Sequence, residues 1–234
     1  MNADLKGGGS LTATISARYG PTGRLVDANG EFARIQSWAN EPTKELILNN
    51  PAYKLLSESL ESTVSVQIES EMILFRGRPF EENEVPKKNE FGPPPISTEA
   101  SGRYGIPNET VLYLCESEQG VLLEFLNQSQ KKIWCQRFVL PVGTMRVGDF
   151  REIDPSSILA QVFWFAELQE ESGGQCATFL FSQHVSKLCS EYFDMILVPG
   201  VRGHNGYCYH NAIVFRSDSK WPSWLDLDFE PMSL

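Results

Sequence analysis

An α+β fold is what this sequence predicts. Short runs with strand character outnumber helical ones and alternate irregularly with them, and no internal repeat is visible. At 234 residues, with 41% hydrophobic and 21% charged residues, the chain is long enough for one large domain with an ample core.

Residues 1 to 30 are rich in Gly, Ala, Ser and Thr and read as a peripheral lead-in, with one strand expected over Leu11 to Ala17 and Gly7-Gly8-Gly9-Ser10 as a linker. Apolar positions recur at helical spacing over Glu31 to Ser37 and over Asn50 to Ser62, where Tyr53, Leu56 and Leu60 share a face. Val64 to Ile68 alternates like a half-exposed strand, and Met72 to Phe75 reads as a buried one. Pro79 to Lys88 is expected to be a charged loop. Phe91 to Pro95 is expected to run extended, because proline fixes its own φ and biases its predecessor towards β.

Val111 to Cys115 is the next strand, with Ser117 as the cap of a helix over Gly120 to Gln128. Strands follow over Ile133 to Val139, Met195 to Val198 and Ala212 to Phe215. Between them lie an apolar segment of open type (Ile158 to Leu168), a turn at Gly173-Gly174, a helix over His184 to Tyr192 and a glycine-rich turn over Pro199 to Asn205. The tail from Trp221 to Leu234 is acidic and aromatic, with Trp221 and Trp224 expected to fold back on the body. The expected divisions are a lead-in over 1–70, a core over 71–218 and a tail over 219–234.

A formal net charge of −10 argues against a nucleic-acid partner and against polybasic membrane attachment. The five cysteines are odd in number and scattered, so they read as reduced core thiols. The three histidines complete no metal-ligand pattern, and no metal is expected. No stretch reaches the roughly 18 apolar residues of a membrane span, and no basic-then-apolar leader opens the chain. Action in the cytoplasm, without a signal peptide or transmembrane segment, is therefore the expectation.

The informative stretch is Leu74 to Phe125. Two apolar runs bracket a long Pro-, Gly- and charge-rich loop, with Arg76, Arg78, Arg103 and Tyr104 at its ends and Glu124 inside a third apolar run. Loops of this length in a compact domain are usually functional or disordered. Cations at strand ends suit phosphate, an aromatic suits a flat ring, and a half-buried carboxylate suits a bond that breaks with positive charge developing. Glu124 reads either as that carboxylate or as a solvent-facing helix residue. Arg76 reads as a phosphate ligand or a structural ion pair, Arg78 rather as the latter, and Tyr113 as a pocket wall or a core tyrosine. A nucleophile built from Cys208 between His204 and His210 has no identifiable orienting acid. P-loop and dinucleotide-fold glycine fingerprints are absent, so a bound NAD would be substrate and not redox carrier.

These residues resemble the RES domain family, NAD-consuming toxins with an ADP-ribosyltransferase-like fold. The likeness runs through Phe75-Arg76, Gly92-Pro93-Pro94-Pro95, Gly102-Arg103, Leu112-Tyr113-Leu114, Glu124, Ser182-Gln183, Asp194, Ile196 and Asn211 to Phe215, covering roughly residues 72 to 216. It departs at Gly105 and Asn108, and at Gly200 after Pro199, where the family has a serine; Ser182, Tyr207 or Tyr209 are the hydroxyls that would substitute. The resemblance implies an ADP-ribosyltransferase-like mixed or antiparallel β core with peripheral helices. It also implies Glu124, Arg76 and Tyr113 as catalytic residues and Arg103, Tyr104, Ser182, Gln183 and Asn211 as substrate-binding ones. The implied activity is NAD glycohydrolase, phosphorylase or ADP-ribosyltransferase, with no cofactor and with a neutralising antitoxin or immunity protein as partner. The alternative is a module that binds NAD or ADP-ribose without cleaving it. A structural or partner-binding protein using the acidic aromatic tail is the third reading.

Overall fold

The structure is a computed structural model. It describes residues 48–49, 51–63, 66–94, 96, 104–106, 108–125, 131–143, 145–151, 177–200, 209–216 and 231–234, with the backbone alone at 51–55, 62, 177–182 and 216. The strand expected over Leu11 to Ala17, the helix over Glu31 to Ser37, the segment Ile158 to Leu168, the turn at Gly173-Gly174, Arg103, and Trp221 and Trp224 lie outside the described residues.

In chain order the elements are α1 (Pro51–Ser62), β1 (Met72–Phe80), α2 (Lys88–Phe91), β2 (Thr110–Cys115), α3 (Glu118–Glu124), β3 (Lys132–Leu140), β4 (Val147–Asp149), α4 (Ala177–Tyr192), β5 (Met195–Pro199), β6 (His210–Arg216) and β7 (Met232–Ser233). The seven strands form one sheet in the order β4-β5-β6-β2-β1-β3-β7. Every pairing is antiparallel except β4 with β5. This is the α+β class with a mixed, mostly antiparallel core and peripheral helices.

Strand alternation divides the side chains between two faces. One face carries Leu74, Leu112, Leu114, Phe138, Leu140, Leu197, Ala212 and Val214, packed with Phe91 of α2, Ile68 and Met145. The other carries Phe75, Cys115, Ile133 and Cys135, packed with Val121, Leu122 and Phe125 around α3. The fully buried Val185, Leu188 and Cys189 of α4 belong to this second side, since Ser186 Oγ of the same helix donates to the Tyr104 carbonyl at 2.6 Å. Tyr104 in turn stands against Tyr113, with ring centroids 6.1 Å apart.

β1 is longer than expected. Its Arg76 to Phe80 half pairs with β3 residue by residue, from Met72↔Leu140 to Phe80↔Lys132, so strand structure continues through the charged positions and Pro79, and the expected loop begins only at Glu81. Phe91 is not extended either. It closes the helical turn α2, where Glu90 reaches back to the Lys87 amide, and buries its ring against Phe80 at 6.1 Å. Of the strand expected over Val64 to Ile68, Val66 forms an isolated bridge to Val147, Gln67 and Ile68 are in no strand, and Val64 and Ser65 lie outside the described residues. β4 and β7 were not expected from the sequence, being two or three residues long. Ser117 caps α3 by accepting from the Gly120 amide, and Asn108 stands at φ 61°, the left-handed conformation that asparagine tolerates.

Against β2, by contrast, β1 has the single register pair Phe75↔Cys115, and past it the two strands part. α3 lies over this junction and is seated on Gly77, where an added Cβ would collide with Val121 Cγ1 and the Phe125 ring. Gly77→Ala is expected to lower stability by about 1–3 kcal/mol through overpacking, read as a lower denaturant midpoint by circular dichroism. An unchanged midpoint would mean that α3 is not seated there.

Candidate functional site

The last residue of α3 brings a carboxylate onto the α3/α4 face of the sheet. Glu124 Oε1 accepts two hydrogen bonds, one from the Tyr209 hydroxyl at 2.7 Å and one from Asn211 Nδ2 at 2.8 Å. Asn211 is placed by register, opposite Cys115 in the β2–β6 ladder. The Cys115 thiol donates to Asn211 Oδ1 at 3.0 Å, which leaves the amide NH₂ to face Glu124. Burial, and then the neighbouring Glu124 charge, push the Cys115 thiol well above its ordinary range, so it stays a donor.

Tyr209 is held by close approach. Its ring fills the space where Cβ atoms would stand on Gly120 of α3 and on Gly200 after β5, and its carbonyl accepts from the Gly200 amide at 2.7 Å. Two glycines thus make the slot that aims the Tyr209 hydroxyl at Glu124. The same slot explains why glycine stands at position 200: a serine there would carry its Cβ into the aromatic ring.

A charged cluster borders this network. Arg151 grips Asp149 through Nε at 2.9 Å and Nη2 at 2.6 Å and Glu116 Oε1 through Nη1 at 2.5 Å. His210 Nδ1 meets Glu116 Oε2 at 2.8 Å. Burial by itself would raise the Glu116 carboxyl, but hydrogen bonding from His210 and the Arg151 charge outweigh it and hold the group below its ordinary range. Asp149 likewise ends low because its bonds to Arg151 outweigh burial, and Arg151 is raised by the same contacts.

Tyr113 lies on the same sheet face as Cys115, two residues earlier, and its hydroxyl accepts from the Tyr104 amide. Gln183 of α4 is half-buried one turn before Ser186, the residue bonded to the Tyr104 carbonyl. The side chain of Ser182 lies outside the described residues. Of the sequence candidates, Glu124 and Asn211 are therefore in contact, Tyr113 and Tyr104 are in contact, and both pairs share one face.

Arg76 does not join them directly. It pairs in register with Gln136 and alternates with Phe75, so its side chain projects from the opposite face. There it keeps 7% of its accessible surface, and its Nη1 has no hydrogen-bond partner. Burial, and behind it the like charge of Arg78, lower its pKa, and among the described residues no carboxylate pairs with it. The structural ion pair that was the alternative reading for Arg76 is thus not found among the described residues, while Arg78 donates Nε to the Glu90 carbonyl at 3.0 Å.

One residue of this geometry escapes sequence reasoning, and so does the aim of another. Cys115 reads as one more apolar strand position, and only its cross-strand partner reveals it as a donor. Tyr209 is expected only as a hydroxyl that would replace the missing serine, and its aim at Glu124 depends on Gly200 and on Gly120, which is far away in sequence. Among the described residues no group of three or more His, Cys, Asp or Glu side chains is placed to hold a metal, and no helix is long and apolar enough to cross a membrane.

No protein-family model matches the chain, and no curated protein matches it. The chain is similar to one in the crystal structure of the M. tuberculosis MbcT–MbcA toxin–antitoxin complex, at 13% sequence identity, covering 76% of this chain and 91% of that one, with a TM-score of 0.46.

The depressed carboxyls carry a pH prediction. Their folded pKa values lie below the ordinary 4.5 of Glu116 and 3.8 of Asp149. The stability they contribute is therefore complete above those values and is lost as pH falls through the folded ones. Thermal unfolding of the wild type should show a falling midpoint below about pH 4.5, and Arg151→Met should flatten that acid limb. Parallel acid limbs in the two proteins would refute the role given to Arg151.

Proposed function

We propose that this chain is a toxin-like enzyme that degrades NAD by cleaving the bond between nicotinamide and ribose. The observation that carries the reading is the Glu124 carboxylate, fixed by Tyr209 and Asn211 at the end of α3 on the face that also presents Tyr113. Cleavage at that carbon passes through an oxocarbenium-like state, as in glycoside hydrolysis. A preorganised carboxylate beside the sugar stabilises this positive charge more in the transition state than in the ground state. Tyr113, half-buried, supplies an aromatic wall for the nicotinamide ring, and the fully buried Tyr104 stands behind it.

Arg76, with Arg103 second, is the ligand for the pyrophosphate in this reading. Because Arg76 faces the other side of the sheet, one dinucleotide reaches both groups only by passing where β1 and β2 part beyond Phe75 and Cys115. The ADP-ribosyl unit then leaves on water, on phosphate or on a protein side chain, all of which attack the same carbon. A toxin-like enzyme of this kind calls for a neutralising antitoxin or immunity protein.

The absence of a serine at Gly200 favours a second reading, a module that binds NAD or ADP-ribose without cleaving it. Calorimetry separates the two: binding without product formation, retained in Glu124→Ala and lost in Arg76→Ala, belongs to the second reading alone.

Incubation of the purified chain with NAD, with and without phosphate, and identification of products by mass should show nicotinamide release. Glu124→Gln is expected to lower the rate by about 100-fold or more. Tyr209→Phe, which removes one hydrogen bond to a charged acceptor, should cost roughly tenfold. No turnover by the wild type at any phosphate level would sink the enzymatic reading. Gly200→Ser separates a lost catalytic serine from an occupied slot. It should lower activity further, because the new side chain displaces Tyr209; a gain in activity would show that the slot argument is wrong.

A further inference from the structure

Among the described residues, the side-chain N–H groups that are buried without a partner include Arg76 Nη1 and Trp134 Nε1. The two residues sit on neighbouring strands. The β1–β3 register pairs Arg76 with Gln136 and Arg78 with Trp134, so Trp134 is the diagonal neighbour of Arg76 on the same sheet face, a separation that long side chains bridge. Trp134 packs against the core cluster of that face. Lys132, two residues before it on β3, holds its ammonium 4.7 Å from the centre of the indole ring.

This patch is cationic in a chain of net charge −10. Arg76, Arg78 and Lys132 all project from it. Of the nearby acids, Glu90 accepts from the Lys87 amide and its charge acts on Arg78, while Glu81 pairs with Lys131 at 3.2 Å. A neutral N–H buried without an acceptor destabilises the fold, and a buried charge without a counterion does so more. The two donors lie on neighbouring strands of one face, and among the described residues no carboxylate bonds to either; the buried acceptor opposite Arg76, Gln136 Oε1, is neutral and brings no charge, so the buried cation lacks an anion.

We propose that Arg76 and Trp134 together form a subsite for a phosphoryl group, with Arg78 and Lys132 providing the surrounding charge. A carboxylate brings one negative charge and two oxygens in one plane. A phosphoryl group brings up to two charges and a tetrahedron of oxygens, so separate oxygens meet the guanidinium and the indole N–H while the second charge faces Arg78 and Lys132. Trp134 is then a binding residue that fixes the orientation of the phosphoryl group, and the patch lies on the far side of the sheet from Glu124. As the place where a dinucleotide keeps its diphosphate, this subsite rests on the NAD reading; as an oxyanion site it stands without it.

The indole N–H reports directly. In a ¹⁵N-labelled chain the five tryptophans give five side-chain signals, and the one lost in Trp134→Phe belongs to Trp134. Titration with pyrophosphate and with ADP-ribose should move that signal downfield, and nicotinamide riboside, which has no phosphoryl group, should leave it in place. Calorimetry should show ADP-ribose binding weakened roughly tenfold in Trp134→Phe, the loss of one hydrogen bond to a charged group. Movement with ADP-ribose assigns the group to the dinucleotide, whereas movement with inorganic phosphate alone assigns it to free phosphate; both support the subsite.

No movement of any indole signal with phosphate, pyrophosphate or ADP-ribose overturns it, as does movement that persists undiminished in Arg76→Met. The wild-type titration decides even where Trp134→Phe fails to fold, because five unmoved signals suffice to reject. An indole response without nicotinamide release keeps the subsite and removes the NAD-cleaving reading; nicotinamide release with five unmoved signals does the reverse.

Discussion

Two hydrogen bonds onto one oxygen of Glu124 are the constraint on which the rest of the candidate site depends. Each donor reaches that oxygen through a different part of the fold. Asn211 arrives through the β2–β6 register that sets it opposite Cys115, and a slip of one residue would turn it to the other face. Tyr209 arrives through the gap between Gly120 and Gly200. Glu124 itself arrives through a helix whose start is set by the Ser117 cap and whose height above the sheet is set by Gly77. Three elements, a register, a cap and a pair of glycines therefore converge on a single carboxylate.

The two charged regions obey different rules, and the difference separates structure from binding. Around Arg151 every charge has a partner: Asp149 and Glu116 share the guanidinium, and His210 completes Glu116. A cluster satisfied in this way ties β2, β4 and β6 together at one end of the sheet and asks nothing of a ligand. Around Arg76 the reverse holds. The guanidinium is buried, depressed in basicity and without a carboxylate among the described residues. Folding tolerates such a group at a cost that a bound anion would offset, which is what the proposed subsite rests on.

The sequence showed the central strands because their apolar runs are long enough to outweigh local polarity. β2, β3, β5 and β6 extend the expected spans by only a residue or two at either end, and α3 begins two residues before the expected start, where its cap allows. Failures came where a cross-strand partner overrides local signals. The Arg76 to Phe80 half of β1 holds two arginines and a proline, yet nine successive pairs with β3 keep it in the sheet. β4 and β7 are too short to show a period, and Phe91 was drawn into α2 by packing on Phe80. Within the candidate site, Glu124, Asn211 and Tyr113 stand out in the sequence as a carboxylate inside an apolar run and polar groups on strands, and the structure brings the first two into contact. What was not legible was sidedness. Whether Arg76 shares a face with Glu124 depends on counting from the Phe75↔Cys115 pair, and that pair exists only in three dimensions.

Sidedness in turn shapes how binding energy is used. In the proposed reaction a diphosphate at Arg76 and a ribose at Glu124 would lie on opposite faces of the sheet, so a ligand spanning them would pass between β1 and β2 beyond the Phe75↔Cys115 pair. Contacts with the phosphates are the same before and during bond cleavage, and by themselves they lower only the free energy of the bound state. Only the contacts at Glu124, where positive charge develops, act on the barrier, so in the proposed reaction Arg76 would set affinity and Glu124 the rate.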